Sequence, residues 1–237
     1  MEEDRQTMRA RGLKQMAETE FPRPIVTVDI VLLTLREERL HVALLPRAAE
    51  PFAGMPALIG GYVHLDEDKD AESAVVRILK AKAALTGVFF EQLQTFASAA
   101  RDPRGWSVSI TYFALVPQDV LQGAGVSLDL RPADMPGELP FDHADIIKAA
   151  LQRLRGKGAY STIPARLLPE VFTMSELQAI YETVMGERLD QSAFRRKIND
   201  LELLEEVQGE KRQTERARRP TTLYRLKTPL AVFDRRI

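Results

Sequence analysis

Gly60-Gly61-Tyr62-Val63-His64-Leu65-Asp66-Glu67, followed after a further acidic run by Arg77-Ile78-Leu79-Lys80-Ala81-Lys82-Ala83-Ala84-Leu85, is the segment from which the remainder is best read. Two adjacent glycines end an apolar segment, and their missing side chains let backbone come close to a ligand. Residues 72–85 follow as a helix. Val75, Ile78, Leu79 and residues 81–82 keep helical spacing, and the interior holds neither Gly nor Pro. Asp66, Glu67, Asp68, Asp70 and Glu72 crowd its beginning, where the helix dipole favours negative charge. Their favoured role is solubility and dipole compensation; the alternative is a metal site.

The segment resembles the Nudix box, G-x5-E-x7-R-E-U-x-E-E-x-G-U with U apolar. Gly61 and Glu67 keep the first spacing and Arg77, Leu79 and Leu85 keep the rest, with two extra residues between Glu67 and Arg77. In that family, carboxylates one, four and five residues after the arginine share a helix face and hold Mg²⁺ or Mn²⁺ against a diphosphate. Here those positions are Ile78, Ala81 and Lys82. An apolar side chain, a methyl group and a cation do not coordinate a hard divalent ion. Lys82 repels such an ion, although its charge can stand beside a phosphate in the ion's place. The resemblance therefore implies a Nudix fold and its ligand pocket, with no catalytic residue, no metal and no hydrolysis.

The 237 residues suffice for one large domain or two ordinary ones. With 45% apolar and 28% charged residues the composition is that of a soluble globular protein, and no apolar run approaches a membrane span or a secretory leader. The expected location is the cytoplasm. Absence of cysteine excludes disulfides, thiol nucleophiles and thiolate metal sites, and His41, His64 and His143 lack ligand spacing. The net charge of −1 conceals an asymmetry. Residues 150–237 carry 17 Lys and Arg against 12 Asp and Glu, an excess of five positive charges over a body with six negative ones. Such an end suits a polyanion, or is merely a differently charged solvated surface.

A polar arm, residues 1–20, precedes β-branched residues 25–35, which read as a buried strand with residues 40–46 as hairpin partner across Arg36-Glu37-Glu38-Arg39. Strands are also expected at 88–96 and 108–116, flanking the turn Arg101-Asp102-Pro103-Arg104-Gly105. Its two arginines suit a phosphate or acids on the sheet equally well. Residues 129–140, with three prolines, read as a loop. Residues 142–155 form an amphipathic helix with Asp142 as cap and Ile146, Ile147, Ala150, Leu151 and Leu154 as its apolar stripe, broken by Gly156-Lys157-Gly158. The expected division is residues 21–156 as a ligand-sensing and dimerising domain and residues 157–237 as a second domain.

In that second domain Thr173-Met174-Ser175-Glu176 is a capping box. Leu177, Ile180, Tyr181 and Val184 fall at helical spacing, and Gly186 follows the helix end. Asp190 can cap a second helix with Phe194, Ile198 and Leu201 inside and Ser192, Arg195, Arg196, Lys197 and Asn199 outside. Two short helices across a brief turn make a helix-turn-helix. Strand-like residues 203–207 and 221–226 then bracket a basic loop containing Lys211, Arg212, Arg218 and Arg219, the order of a winged helix.

Together with Glu91-Gln92-Leu93, Phe141-Asp142-His143-Ala144, Phe194-Arg195-Arg196-Lys197-Ile198 and Leu223-Tyr224-Arg225-Leu226, these features resemble the NrtR family of Nudix-related transcriptional regulators. The family pattern has Asn before the Phe-Arg-Arg-Lys run, where this chain has Ala193. The resemblance implies an α/β (α+β) chain: an N-terminal Nudix-like α/β/α sandwich with a mixed sheet, and a C-terminal winged helix-turn-helix. It implies a homodimeric repressor of NAD biosynthesis or salvage genes, bound to a palindromic duplex operator and released by ADP-ribose or a related nucleotide. Regulation of sugar catabolism and ADP-ribose hydrolysis are the alternatives. Implied ligand contacts are Gly60, Gly61, Arg101 and Arg104, with Arg77 either a contact or the partner of a nearby acid such as Glu67. Implied DNA contacts are Ser192, Arg195, Arg196, Lys197 and Asn199 on the helix and Lys211, Arg212, Arg218 and Arg219 in the wing.

Overall fold

The computed structural model describes residues 23–212, 221–228, 230–233 and 237. Its organising strand is β1 (Ile25–Arg36), apolar on both faces and therefore able to sit between two cores. Val28, Ile30 and Leu32 face one apolar cluster, while Val31 and Leu33 face the other. β1 turns into β2 (Arg39–Pro46) through Glu37 and Glu38, both left-handed at φ 52° and 59°, as a tight two-residue hairpin requires. β3 (Pro56–Ala57) pairs with β2, and β4 (Ile59–Tyr62) runs antiparallel to β1. β5 (Phe89–Ser98) pairs with β6 (Ser107–Leu115), which lies parallel to β1 from Ile25↔Ser107 to Leu33↔Leu115. The result is a seven-stranded mixed sheet.

The seventh strand corrects the sequence reading. Residues 129–140 are not wholly loop, because β7 (Asp129–Pro132) pairs with β2 from His41↔Pro132 to Leu44↔Asp129. Proline lacks an N–H and is tolerated at the end of such an edge strand.

Helix α1 (Ala71–Ala83) begins at Asp70, whose carboxylate accepts from Ser73 N at 2.8 Å while Ser73 Oγ accepts from Asp70 N at 3.0 Å. It ends at Ala84, left-handed at φ 53°, where Leu85 N donates to Leu79 O. Its buried side, Ala74, Val75, Ile78 and Leu79, closes one face of the sheet with the short helix α2 (Gln118–Gly123). On the opposite face lies α3 (His143–Gly158), with Ile146, Ile147, Ala150, Leu151 and Leu154 buried.

Two expectations for α3 fail. Asp142 does not cap it with its side chain, because both carboxylate oxygens accept from Arg101 at 2.8 Å. The glycines do not break it either. A Cβ on Gly158 would stand 3.0 Å from Val184 Cγ1 and 3.3 Å from Pro164 Cγ, so that glycine lets two elements approach.

A 3₁₀ turn (Ile163–Leu167) leads to β8 (Phe172–Thr173), α4 (Met174–Met185) and α5 (Gln191–Asp200). The capping box forms as read: Glu176 N donates to Thr173 Oγ1 at 3.1 Å and Thr173 N to Glu176 Oε2 at 2.7 Å. Gly186 closes α4 at φ 73°, and Asp190 caps α5 by accepting from Ala193 N at 2.8 Å. β9 (Leu204–Arg212) and β10 (Thr221–Leu226) form an antiparallel pair that β8 extends to three strands. Two short amphipathic helices against this sheet are a winged helix. One apolar cluster runs from Val31, Leu33 and Phe113 through α3 to Leu177, Ile180, Tyr181 and Phe194, so the two halves share a core. No helix among the described residues is long and apolar enough to cross a membrane.

Candidate effector cleft and nucleic-acid interface

A cleft of about 400 Å³ opens where β1, β4 and the turn before β6 meet, and Gly60 and Gly61 lie in its wall. The two glycines differ. A Cβ at Gly60 would fall 2.1 Å from Asp29 Oδ1 and 2.8 Å from Val28 O, so no larger residue fits without moving backbone. At Gly61 the nearest atom is Ile78 Cδ1 at 3.4 Å, an ordinary contact.

The box helix presents its altered side chains to this wall. Ile78 is fully buried beneath Gly61. Lys82 lines the cleft and donates from Nζ to Gly60 O, and loss of solvent around its ammonium lowers its pKa. The acids before α1 are occupied with structure. Asp68 accepts from Arg77 Nε and Nη2 at 2.8 and 2.7 Å and from His64 N at 2.7 Å, and Arg77 holds its carboxyl at about 2. Asp70 caps the helix and Glu67 lies 3.2 Å from His64 Nδ1. Among the described residues no group of three or more His, Asp and Glu side chains is arranged to hold a metal.

The three arginines named from sequence separate. Arg77 lies outside the lining of the cleft; it braces the preceding loop through Asp68 and Tyr62 O, with Glu67 only a secondary partner at 3.7 Å. Arg101 lines the cleft but is clamped by Asp142, its side chain only 6% exposed, with Asp29 at 3.6 Å. Arg104 makes a two-point pair with Asp102 and donates to Tyr62 Oη, remaining on the rim near the rings of Tyr62 (5.7 Å) and Phe141 (5.9 Å).

Sequence reasoning missed three members of the site. Arg47 stacks 4.6 Å over Phe141 and is anchored to Pro51 O at 2.8 Å, with no carboxylate partner among the described residues. Phe141 carries that stack and the edge of Phe52 at 5.0 Å. His143 is buried, accepts from Leu58 N through Nδ1 at 3.1 Å, and burial lowers its pKa. It is therefore neutral, with its proton on Nε2. The run Phe141-Asp142-His143 signalled the last two without revealing which face each side chain takes, and no motif singled out Arg47. Arg47, Lys82 and Arg104 around the exposed ring of Tyr62 and the half-buried ring of Phe141 can hold a diphosphate and stack a base.

At the far end of the chain, α5 buries Phe194 and Ile198 and exposes Ser192, Arg195, Arg196 and Asn199, with Lys197 half-buried. Its ten residues span about 15 Å, suited to a major groove. Lys211 and Arg212 lie on β9, whereas Arg218 and Arg219, like the N-terminal arm, lie outside the described residues.

Comparison with known proteins agrees with this architecture. A family model described as the NrtR DNA-binding winged helix domain matches residues 164–226. The ADPR responsive transcriptional repressor NtrR of Acinetobacter baylyi is 35% identical over 219 residues, 90% of this chain and 86% of that protein. Shewanella oneidensis NrtR, solved with a 27mer DNA, superposes with a TM-score of 0.81 at 36% identity over 90% of this chain and 99% of that one. Its Nudix domain, solved with ADP ribose, gives a TM-score of 0.52 at 36% identity, covering 60% and 97%. The mixed-sheet Nudix-like half and the winged helix are those expected from sequence.

Proposed function

This chain belongs to the NrtR family, and we propose that it is a DNA-binding transcriptional repressor whose Nudix cleft senses ADP-ribose without hydrolysing it. The observation that carries this reading is the exchange of charge within one chain: Ile78, Ala81 and Lys82 on the box helix, and exposed Arg195 and Arg196 on the second helix of the winged half. In this reading two copies pair and set their α5 helices in successive major grooves of a palindromic operator, about one helical turn apart. Arg195, Arg196 and Lys197 contact phosphates and base edges, with Ser192 and Asn199 beside them, while Lys211, Arg212, Arg218 and Arg219 follow the backbone. The regulated genes serve NAD biosynthesis or salvage, and the protein works in the cytoplasm.

In the cleft, Lys82 and Arg47 take the charge of the diphosphate that a metal takes in a hydrolase, and Tyr62 and Phe141 offer ring faces to the base. Gly60 lets the ligand reach backbone. Binding then requires no metal and persists in EDTA.

A duplex covering the region upstream of the protein's own gene tests the interface. Wild-type protein should shift it, and Arg196→Ala should weaken the shift at least tenfold with unchanged thermal unfolding, since exposed polar substitutions move stability by under about 0.5 kcal/mol. Equal shifts by both proteins would overturn the placement of the DNA. Incubation with ADP-ribose and Mn²⁺ should release no product; turnover at enzymatic rates would favour the hydrolase reading.

A further inference from the structure

A second cavity, of about 510 Å³, lies away from the effector cleft, between the beginning of β5 and the winged half. Val88, Phe89 and Pro117 contribute an apolar wall from the Nudix side. Arg166 from the 3₁₀ turn and Arg225 from β10 line the other side, with Lys227 just beyond.

Among the described residues three buried side-chain polar atoms lack a hydrogen-bond partner, and two of them are Nε of Arg166 and Nε of Arg225. Native interiors rarely leave such donors unmet, because each then bears the full cost of its lost hydration. The third, Thr34 Oγ1, is a neutral hydroxyl elsewhere in the sheet. The Arg166 guanidinium lies 5.4 Å over the Phe89 ring, which replaces part of its hydration but supplies no acceptor. Among the described residues no carboxylate fills the gap. Glu170 lines the cavity yet pairs with neither arginine, and Glu205 stands opposite Arg225 in the β9–β10 register without an ion pair between them. Burial lowers the pKa of Arg166, as expected of a cation set against apolar groups without a counter-ion.

We propose that this cavity is a second anion site, in which the guanidinium groups of Arg166 and Arg225 hold the phosphate of a small organic phosphate whose apolar body lies on Val88, Phe89 and Pro117. Phosphate is favoured over a single carboxylate because three cations line one cavity and a guanidinium fork matches two phosphate oxygens at once. The ligand touches both halves of the chain, so its occupancy bears on how the cleft communicates with α5. The site is independent of the ADP-ribose reading, sharing no lining residue with the cleft.

Two probes test it. Calorimetry with n-butyl phosphate in phosphate-free buffer should give binding that falls at least tenfold in the Arg166→Gln, Arg225→Gln double variant, while Lys148→Gln, at an exposed position on α3, retains it. Arg225→Lys should recover part of the loss. Equal binding by the double variant, or no binding by the wild type at millimolar n-butyl phosphate, overturns the assignment. Soaking wild-type crystals in selenate needs no variant: an anomalous peak about 3–4 Å from both guanidinium groups supports the site, and an empty cavity refutes it. n-Butyl phosphate binding more tightly than free phosphate supports the apolar wall's role, and equal affinity overturns that part of the assignment.

Discussion

Ala84 stands at the position where the Nudix pattern has its second glycine, and the backbone there is left-handed at φ 53°. An L side chain in that conformation costs roughly 1 kcal/mol, which glycine avoids. Ala84→Gly is therefore expected to raise the stability of this protein by about 0.5–1 kcal/mol in urea unfolding; a loss of stability would mean that the methyl group has a packing role. Asp68 gives a pH-dependent counterpart. Hydrogen bonds from Arg77 hold its folded pKa at about 2, below the unfolded value of about 3.9. A group depressed in this way adds stability above the unfolded pKa and loses it as pH falls toward the folded one. Asp68→Asn should thus lower the melting temperature at pH 7, and the gap to wild type should close as the pH drops from about 4 to 2. A gap constant across that range would contradict the pairing. Neither residue advertised its role in the sequence. Ala84 needs only a backbone angle, and Asp68 had Glu67 as an equally plausible neighbour of Arg77 until the loop geometry chose between them.

At the scale of elements, the two glycines at the end of α3 give the sharpest contrast. Gly156 has nothing within 4 Å of where a Cβ would lie, whereas Gly158 has Val184 at 3.0 Å and Pro164 at 3.3 Å. Gly156→Ala should stabilise the helix by about 1 kcal/mol through propensity. Gly158→Ala should destabilise the protein, because that gain is outweighed by pushing α3 and α4 apart. Chemical denaturation of the two variants checks both signs, and equal shifts would contradict the packing. From composition alone the pair read as a helix stop, since the reason for Gly158 lies on Val184, 26 positions further along. Elements whose cause is local were legible: Thr173 with Glu176, and Asp190 before α5, cap as their spacing says. β7 was not, because Asp129–Pro132 becomes a strand only by pairing with β2. The same distinction governs the cleft. The altered box positions were readable, but Arg47 on Phe141 and Arg101 on Asp142 join residues tens of positions apart.

In the whole molecule, a single apolar cluster passes from the sheet through α3 into the winged half, so a change at the cleft has packed material through which to act. Physical continuity is not coupling by itself. A ligand shifts DNA affinity only if it binds the two states unequally, and DNA must then weaken the ligand by the same factor. The most direct test is the affinity for a fluorescent operator duplex, measured by anisotropy in EDTA with and without saturating ADP-ribose. The account predicts that ADP-ribose weakens binding by about 5- to 150-fold, a coupling of about 1–3 kcal/mol. Operator binding that ADP-ribose leaves unchanged, or changes only when a divalent metal is restored, would contradict it.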